Sequence, residues 1–317
     1  MLARPGIPSF DYVRASTPDE VIHLLDEHGA AVRLMMGGTD LLVRMRQGDV
    51  RPRFVVDVKH LPGMRDIRFD EVHGLMVGAA VTMNQLAGHA DVRDHYSLLA
   101  DAARSVASYQ LRNRATLGGN LCNASPCADT APATLVLNGR VCLYGPGGER
   151  EVAATEFFLG PGKTAMQPGE FMTAIRYPVS PFDSAGRYLK LGRSKLGDLS
   201  LVGVAILGFS DGTASSGYRF RIGLGSVAPV PLLAREAEAV LATSALCEET
   251  LALAARKTME TAMPIDDVRA GAVYQKAMVR TLTLRGLREV WEQLRTAKGD
   301  SSLRFRSEWE RRRCYGV

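Results

Sequence analysis

Two glycine loops and one cysteine pair hold most of the side chains and backbone donors suited to binding or redox work. In "LMMGGTD", Leu34 to Asp40, a glycine pair follows a run of strand character directly. Glycine tolerates positive φ and has no side chain to hold a ligand off, so Gly37 and Gly38 can aim successive backbone N–H groups at one anion. Thr39 adds a hydroxyl donor, and Asp40 can accept from it or from the loop backbone. "TLGGN", Thr116 to Asn120, reads as the same device: strand, Gly118-Gly119, then a polar side chain. One such turn is an ordinary connection. Two, each entering a different unit, are what two loops gripping a diphosphate from opposite sides would look like, and together they point to a dinucleotide.

Other motifs weigh less. "GLGSVA", Gly223 to Ala228, fits the glycine fingerprint of a dinucleotide fold, but Pro229 and Pro231 follow where a helix would need backbone donors, and no βαβ alternation surrounds it. It reads as a strand end and loop. Cys122 and Cys127 have the C-x4-C opening of a plant-type 2Fe–2S loop, yet the position where the next cysteine is needed is Thr130, so both read as small packing residues. All 6 histidines fall in the first 95 residues without a metal-ligand spacing. No nucleophile elbow, P-loop or kinase signature occurs, which suggests that the bond-making chemistry happens elsewhere.

The elements that must position these loops follow from pattern. The chain has 317 residues, 46% hydrophobic and 23% charged, enough for two or three globular units. Its net charge of +5 is mild and scattered except in "RFRSEWERRRC", so no nucleic-acid module is indicated. Pro5, Gly6 and Pro8 interrupt any signal-peptide core, the longest apolar run suits a buried strand rather than a membrane span, and five cysteines do not form a disulfide framework. A cytoplasmic protein is expected. Thr17, Pro18 and Glu20 mark a helix start with Gly29 as its stop, and "AAVRLMM" and "FVVDV" read as strands flanking the first loop. A second unit follows: strand "GLMVGAAV", a helix opened by Thr82 to Gln85, and a longer helix through "YSLLADAARSVASYQL". Then come the second loop, a helix after "DTAPATLVLNG" and the strand "RVCLYG". A boundary is expected at "RYPVSPFDSAGRYLKL", followed by strands and then three helices, an α+β order.

With these motifs in hand, the sequence resembles the FAD-binding medium subunits of the molybdenum hydroxylases, the xanthine dehydrogenase and carbon monoxide dehydrogenase flavoprotein family. "GGTDLL", "VGAAVT", "QLRNRATLGGNLCNASPCADTAPA" and "YLKLGRSKLGDLSLVGVA" occur in the family's order, and the likeness runs from "FDYVRASTPDEVIHLL" to about Leu294. It implies an α+β fold: a PCMH-type FAD-binding domain of two subdomains, residues 1–62 and 63–182, a C-terminal α+β domain, 183–296, like that of the CO dehydrogenase flavoprotein, and a basic tail, 297–317. It also implies that Met35, Met36, Gly37, Gly38 and Thr39, with Asp40, and Thr116, Leu117, Gly118, Gly119 and Asn120 bind the FAD diphosphate through backbone N–H groups, Thr and Asn. Asp129 would accept from ribityl hydroxyls or buttress the loop. Val106 and Met172 would be apolar contacts to the cofactor, and Lys190 a basic residue near the flavin, favouring an anionic reduced ring. Asp198 and Leu199 would pass over the isoalloxazine, although some relatives carry an aromatic where this chain has Leu199.

The resemblance further implies an electron-transfer subunit without catalytic side chains or metal ligands of its own. A large partner subunit would carry the molybdopterin cofactor and a small one two 2Fe–2S clusters, assembled as a dimer of heterotrimers, with FAD handing electrons to an external acceptor. The cysteine-rich insertion by which 4-hydroxybenzoyl-CoA reductase flavoproteins hold a 4Fe–4S cluster is absent. The alternative is an FAD-dependent oxidoreductase of the same fold that acts alone.

Overall fold

The computed structural model describes residues 6–181, 183–194 and 197–297; the basic tail lies outside them. The first unit comprises β1 (Asp11–Arg14), α1 (Pro18–His28), β2 (Val32–Met35), α2 (Leu41–Gln47) and β3 (Phe54–Asp57). Its sheet has the order β1-β3-β2, and both pairings are parallel. α1 starts where Thr17 Oγ1 accepts from the Glu20 amide, but the Glu20 carboxylate accepts from Ser16 N rather than closing a capping box on Thr17. Parallel pairing requires a crossover between strands, and β2 therefore ends in a loop that must turn into α2: "MGGTD" occupies that turn.

The second unit contains β4 (Ile67–Asp70), β5 (Gly74–Gly78), α3 (Met83–Gly88), α4 (Ala90–His95), α5 (Ser97–Ser105), α6 (Tyr109–Arg112), α7 (Leu117–Cys122) and α8 (Thr130–Val136). β6 (Arg140–Gly145), β7 (Gly148–Ala153), α9 (Ala154–Phe157), β8 (Phe158–Gly160), β9 (Lys163–Thr164) and β10 (Phe171–Tyr177) follow. The antiparallel sheet runs β4-β5-β10-β6-β7. Thr82 and Gln85 do form the expected capping box of α3. Two expectations differ. The long helix through residues 96–111 is interrupted after Ser105, where Val106 is extended (φ −68°, ψ 120°) and Ala107 is left-handed at φ 41°. "TLGGN" is not a turn: Thr116 caps α7, and both glycines lie inside its first turn.

The third unit is β11 (Ala185–Leu191), β12 (Val202–Ser210), β13 (Tyr218–Gly225), β14 (Leu232–Leu233), α10 (Arg235–Thr243), α11 (Glu248–Thr261) and α12 (Ala272–Ala297). Its antiparallel sheet β11-β12-β13-β14 packs on the helices, as the α+β order requires. "GLGSVA" is the end of β13. A Cβ at Gly223 would stand 2.7 Å from Pro132 O, and one at Gly225 2.7 Å from Pro132 Cγ, so these glycines let α8 lie on the strand. The core of the first two units extends to Ala205 and Leu207 of β12, so the third sheet packs directly against them. No helix among the described residues is long and apolar enough to cross a membrane.

Candidate functional site

The loop after β2 leaves a run of backbone donors unpaired. Among the described residues, the amides of Met36, Gly37, Gly38, Thr39 and Asp40 donate no hydrogen bond. Unpaired backbone donors are rare where chain is packed, and four of these five, Met36 to Thr39, are half-buried while Asp40 is exposed; in succession they resemble an anion-binding nest. Gly38, at φ 75°, supplies the left-handed step. Thr39 Oγ1 donates to Asp40 Oδ2 at 3.3 Å, and Asn123 Nδ2 donates to Asp40 Oδ1 at 3.2 Å, which ties the loop to the end of α7. Gly37 is required for another reason: a Cβ there would stand 2.2 Å from Arg114 O. The two glycine segments therefore touch backbone to backbone.

The second segment contributes differently from the expectation. Leu117 N donates to Val81 O at 3.0 Å, Gly118 N to Ala79 O at 2.9 Å and Asn120 N to Thr116 O at 3.0 Å. Gly119 N is held by the Thr116 cap, at 3.1 Å from Oγ1. The amides expected to grip a diphosphate are thus already bonded within the chain, because the second segment is docked on the end of β5. Gly118 is a packing glycine, its Cβ position 2.5 Å from that of Ala79. Gly119 is the open one: within 4 Å a Cβ would meet only Thr116 Oγ1, at 2.8 Å. Asn120 Oδ1 accepts from Thr130 Oγ1 at 2.6 Å, leaving Nδ2 without a partner among the described residues.

Asp129 is 6% exposed, with both carboxylate oxygens engaged by β11. Lys190 Nζ donates to Oδ2 at 2.7 Å and Tyr188 OH to Oδ1 at 2.9 Å. Burial raises the Asp129 pKa, opposed by the Lys190 ammonium and by the Tyr188 hydroxyl. This geometry supports the buttressing role over a direct grip on ribityl hydroxyls. The same ammonium donates to Ser105 O at 2.9 Å, so its charge is balanced by Asp129 and its donors link α8 to the end of α5. Val106, the next residue, is 8% exposed. Met172 is 1% exposed, with Sδ 4.0 Å from Cys122 Sγ, and so supports α7 from behind.

Asp198 closes its own loop, accepting from Arg193 N at 2.7 Å and Leu199 N at 2.9 Å, and Arg193 lowers its pKa. Leu199 is 60% exposed. Among the described residues, no hydrogen bond joins either residue to the glycine segments. Cys122 and Cys127 have separate neighbours. Burial pushes the Cys122 thiol up to about 12, whereas Cys127 Sγ lies 3.0 Å from Arg269 Nη1. Among the described residues no group of three or more His, Cys, Asp or Glu could hold a metal ion.

Sequence reasoning missed two residues. Tyr188 stands two positions before Lys190 on one strand, hence on the same face, and that period could have revealed it. Arg112 lies inside the quoted motif, but its partners are not sequence-adjacent: Nε donates to Asn84 Oδ1 at 3.1 Å, and Nη1 to Val106 O at 2.9 Å and Ala107 O at 3.0 Å. A left-handed alanine costs about 1–3 kcal/mol, and this guanidinium holds it in place. The unpaired amides of the first loop and the open side of Gly119 fit the diphosphate of FAD.

Comparison with known proteins agrees. Residues 8–180 match the family described as FAD binding domain in molybdopterin dehydrogenase, and residues 187–290 the CO dehydrogenase flavoprotein C-terminal domain. The chain is 32% identical to the carbon monoxide dehydrogenase medium chain of Hydrogenophaga pseudoflava, over 90% of this chain and 98% of that one. It is 31% identical to the xanthine dehydrogenase FAD-binding subunit of Escherichia coli O157:H7, over 88% and 94%. The solved carbon monoxide dehydrogenase from Hydrogenophaga pseudoflava that lacks the Mo-pyranopterin moiety of its cofactor superposes with a TM-score of 0.85, at 32% identity, covering 90% of this chain and 98% of that one. The chain therefore belongs to the FAD-binding medium subunits of the xanthine dehydrogenase and carbon monoxide dehydrogenase family, whose members are oxidoreductase subunits.

Proposed function

We propose that this chain is the FAD-containing electron-transfer subunit of a cytoplasmic molybdenum-dependent hydroxylase. It receives electrons from the 2Fe–2S clusters of a small partner subunit and delivers them, through FAD, to an external acceptor. A large subunit with the molybdopterin cofactor acts on the substrate, and two heterotrimers form the complex. The observation that carries the reading is the run of five unpaired amides, Met36 to Asp40, packed on the Arg114 segment.

When bound, FAD supplies a centre that takes electrons singly and releases them in pairs. The chain's own residues bind and orient it. The amides of the first loop and Thr39 hold the diphosphate, Asn120 Nδ2 donates from the facing segment, and Gly119 leaves room. Asp129, fixed by Tyr188 and Lys190, keeps the segment after α7 in place. The relatives' names differ in substrate, xanthine against carbon monoxide, while both align with most of this chain; that supports a substrate pocket on another chain.

The test is metal and flavin analysis of the complex purified through a tag on this chain from its native cells. Iron and molybdenum should co-purify with the flavin, at about four iron atoms for each flavin as two 2Fe–2S clusters require. A flavin-bearing chain free of both metals, turning over a substrate alone, would replace this reading with the self-sufficient oxidoreductase.

A further inference from the structure

At the seam between the second and third units lies a groove of about 650 Å³ that none of the residues assigned to FAD lines. Tyr96, Leu98 and Leu137 of the second unit and Leu207 and Leu294 of the third make its floor, and all are buried. Phe69 and His95 form one wall, stacked with ring centroids 4.3 Å apart and planes 11° from parallel. Glu71, Asp94 and Asp183 stand exposed at the rim, and none has a hydrogen-bond or ion-pair partner among the described residues. No described lysine or arginine lines the groove to balance them. An acidic rim over an apolar floor suits a segment that carries cations and large apolar side chains together.

The chain itself carries such a segment. α12 brings Gln293 and Leu294 to the groove and is described as far as Ala297. Between Arg304 and Arg313 the sequence sets five arginines around Phe305 and Trp309, against two glutamates. An extended chain from Ala297 to Phe305 spans up to roughly 26–29 Å, whereas α12 rises only about 6 Å from Gln293 to Ala297, so the segment reaches the groove easily. Tethering presents it there at an effective concentration of the order of millimolar, so that modest contacts suffice. We propose that the groove is the docking site of the chain's own basic tail, with Phe305 and Trp309 over the apolar floor and the arginines paired with Glu71, Asp94 and Asp183. The docked tail clasps the third unit, whose β11 presents Tyr188 and Lys190 to Asp129, onto the second. It lies beyond residue 290, where the match to the family's C-terminal domain ends.

Trp309 reports on the docking once the chain's other tryptophan is removed by Trp291→Phe. Acrylamide quenching and the emission maximum of Trp309 are measured in the full chain with that change, and circular dichroism checks the fold of each variant. Reversing the rim, with Glu71→Lys, Asp94→Lys and Asp183→Lys together, is expected to raise the quenching constant by about threefold or more and to shift the emission to the red. Reversing the tail, with Arg311→Glu, Arg312→Glu and Arg313→Glu together, should do the same. Combining the two sets restores opposite charges and should bring the constant back close to its starting value. A Trp309 quenched equally in all four chains overturns the proposal, as does a combined variant no better protected than either reversal alone. Should the rim variant not fold, the tail variant decides with the groove intact: a raised constant supports docking, and an unchanged one overturns it. Protection that fades on dilution, with a dimer in sedimentation, assigns the groove to the tail of a second copy and overturns the clasp within one chain.

Discussion

At the residue scale, the Asp129–Lys190 pair decides how the site holds together. Lys190 and Asp129 have side chains 15% and 7% exposed, so removing one partner leaves a nearly buried charge unpaired. Lys190→Met is expected to destabilise the fold by about 3–5 kcal/mol. Asp129→Asn in that background should recover part of the loss, because the orphaned charge disappears. Urea unfolding of the two singles and the double checks this, and additive effects would show that the pair is not coupled. The pH dependence has a definite sign. Burial raises the folded-state pKa of Asp129, so the folded chain holds this proton more tightly than the unfolded chain does. Its contribution to stability is then most favourable below the ordinary carboxylate value of about 4 and declines as pH rises through the raised value. Asp129→Asn should flatten that decline in unfolding curves taken across it, and an unchanged slope would assign it to another group.

At the element scale, the two glycine loops looked alike in sequence and differ in structure. Gly37-Gly38 is a local signal, a glycine pair directly after a strand, and the amides beyond β2 have no partner among the described residues. The second loop was only half legible. Its amides are taken by Ala79 O and Val81 O, acceptors far earlier in the chain, and no local pattern announces a docking of that kind. The break in the helix at Val106 was missed for the same reason: "SVAS" carries no glycine or proline, and the turn is imposed by Arg112 and Lys190 from outside. α1 and α3 were legible from their caps, and α10 to α12 from the helices expected after the last strands, whereas α8 lies inside "DTAPATLVLNG" rather than after it. The contrast gives a pair of expectations. Gly37→Val must push the Arg114 backbone away and should disturb the fold as well as FAD binding, because its Cβ would start 2.2 Å from Arg114 O. Gly119→Val must displace the Thr116 hydroxyl that caps α7 but meets no backbone, so it should fold with a small loss of stability, yet lose FAD affinity by roughly tenfold or more, about 1.4 kcal/mol of binding free energy. Circular dichroism beside FAD titration separates the two, and full FAD affinity in Gly119→Val would place the cofactor away from this helix.

At the scale of the whole molecule, the C-terminal sheet braces the segment proposed to hold the flavin. β11 supplies Tyr188 and Lys190 to Asp129, and β12 lends Ala205 and Leu207 to the core of the preceding units. The α+β class was readable from the order of strands and helices, whereas the contact between units was not, since strand order says nothing about which face meets which neighbour. The absence of a nucleophile or base, noted from sequence, suits a subunit that positions a redox cofactor and leaves substrate chemistry to a partner. The proposed function depends on the first loop gripping a diphosphate. Equilibrium titration of the flavin-free chain with FAD and, in parallel, with FMN tests it most directly, because FMN carries the same ring system and ribityl chain without the diphosphate and adenosine. One FAD per chain, with FMN binding at least tenfold weaker, is the expected result, roughly 1.4 kcal/mol or more from the missing half. No saturable FAD binding, or FMN binding as tight as FAD, would contradict the account.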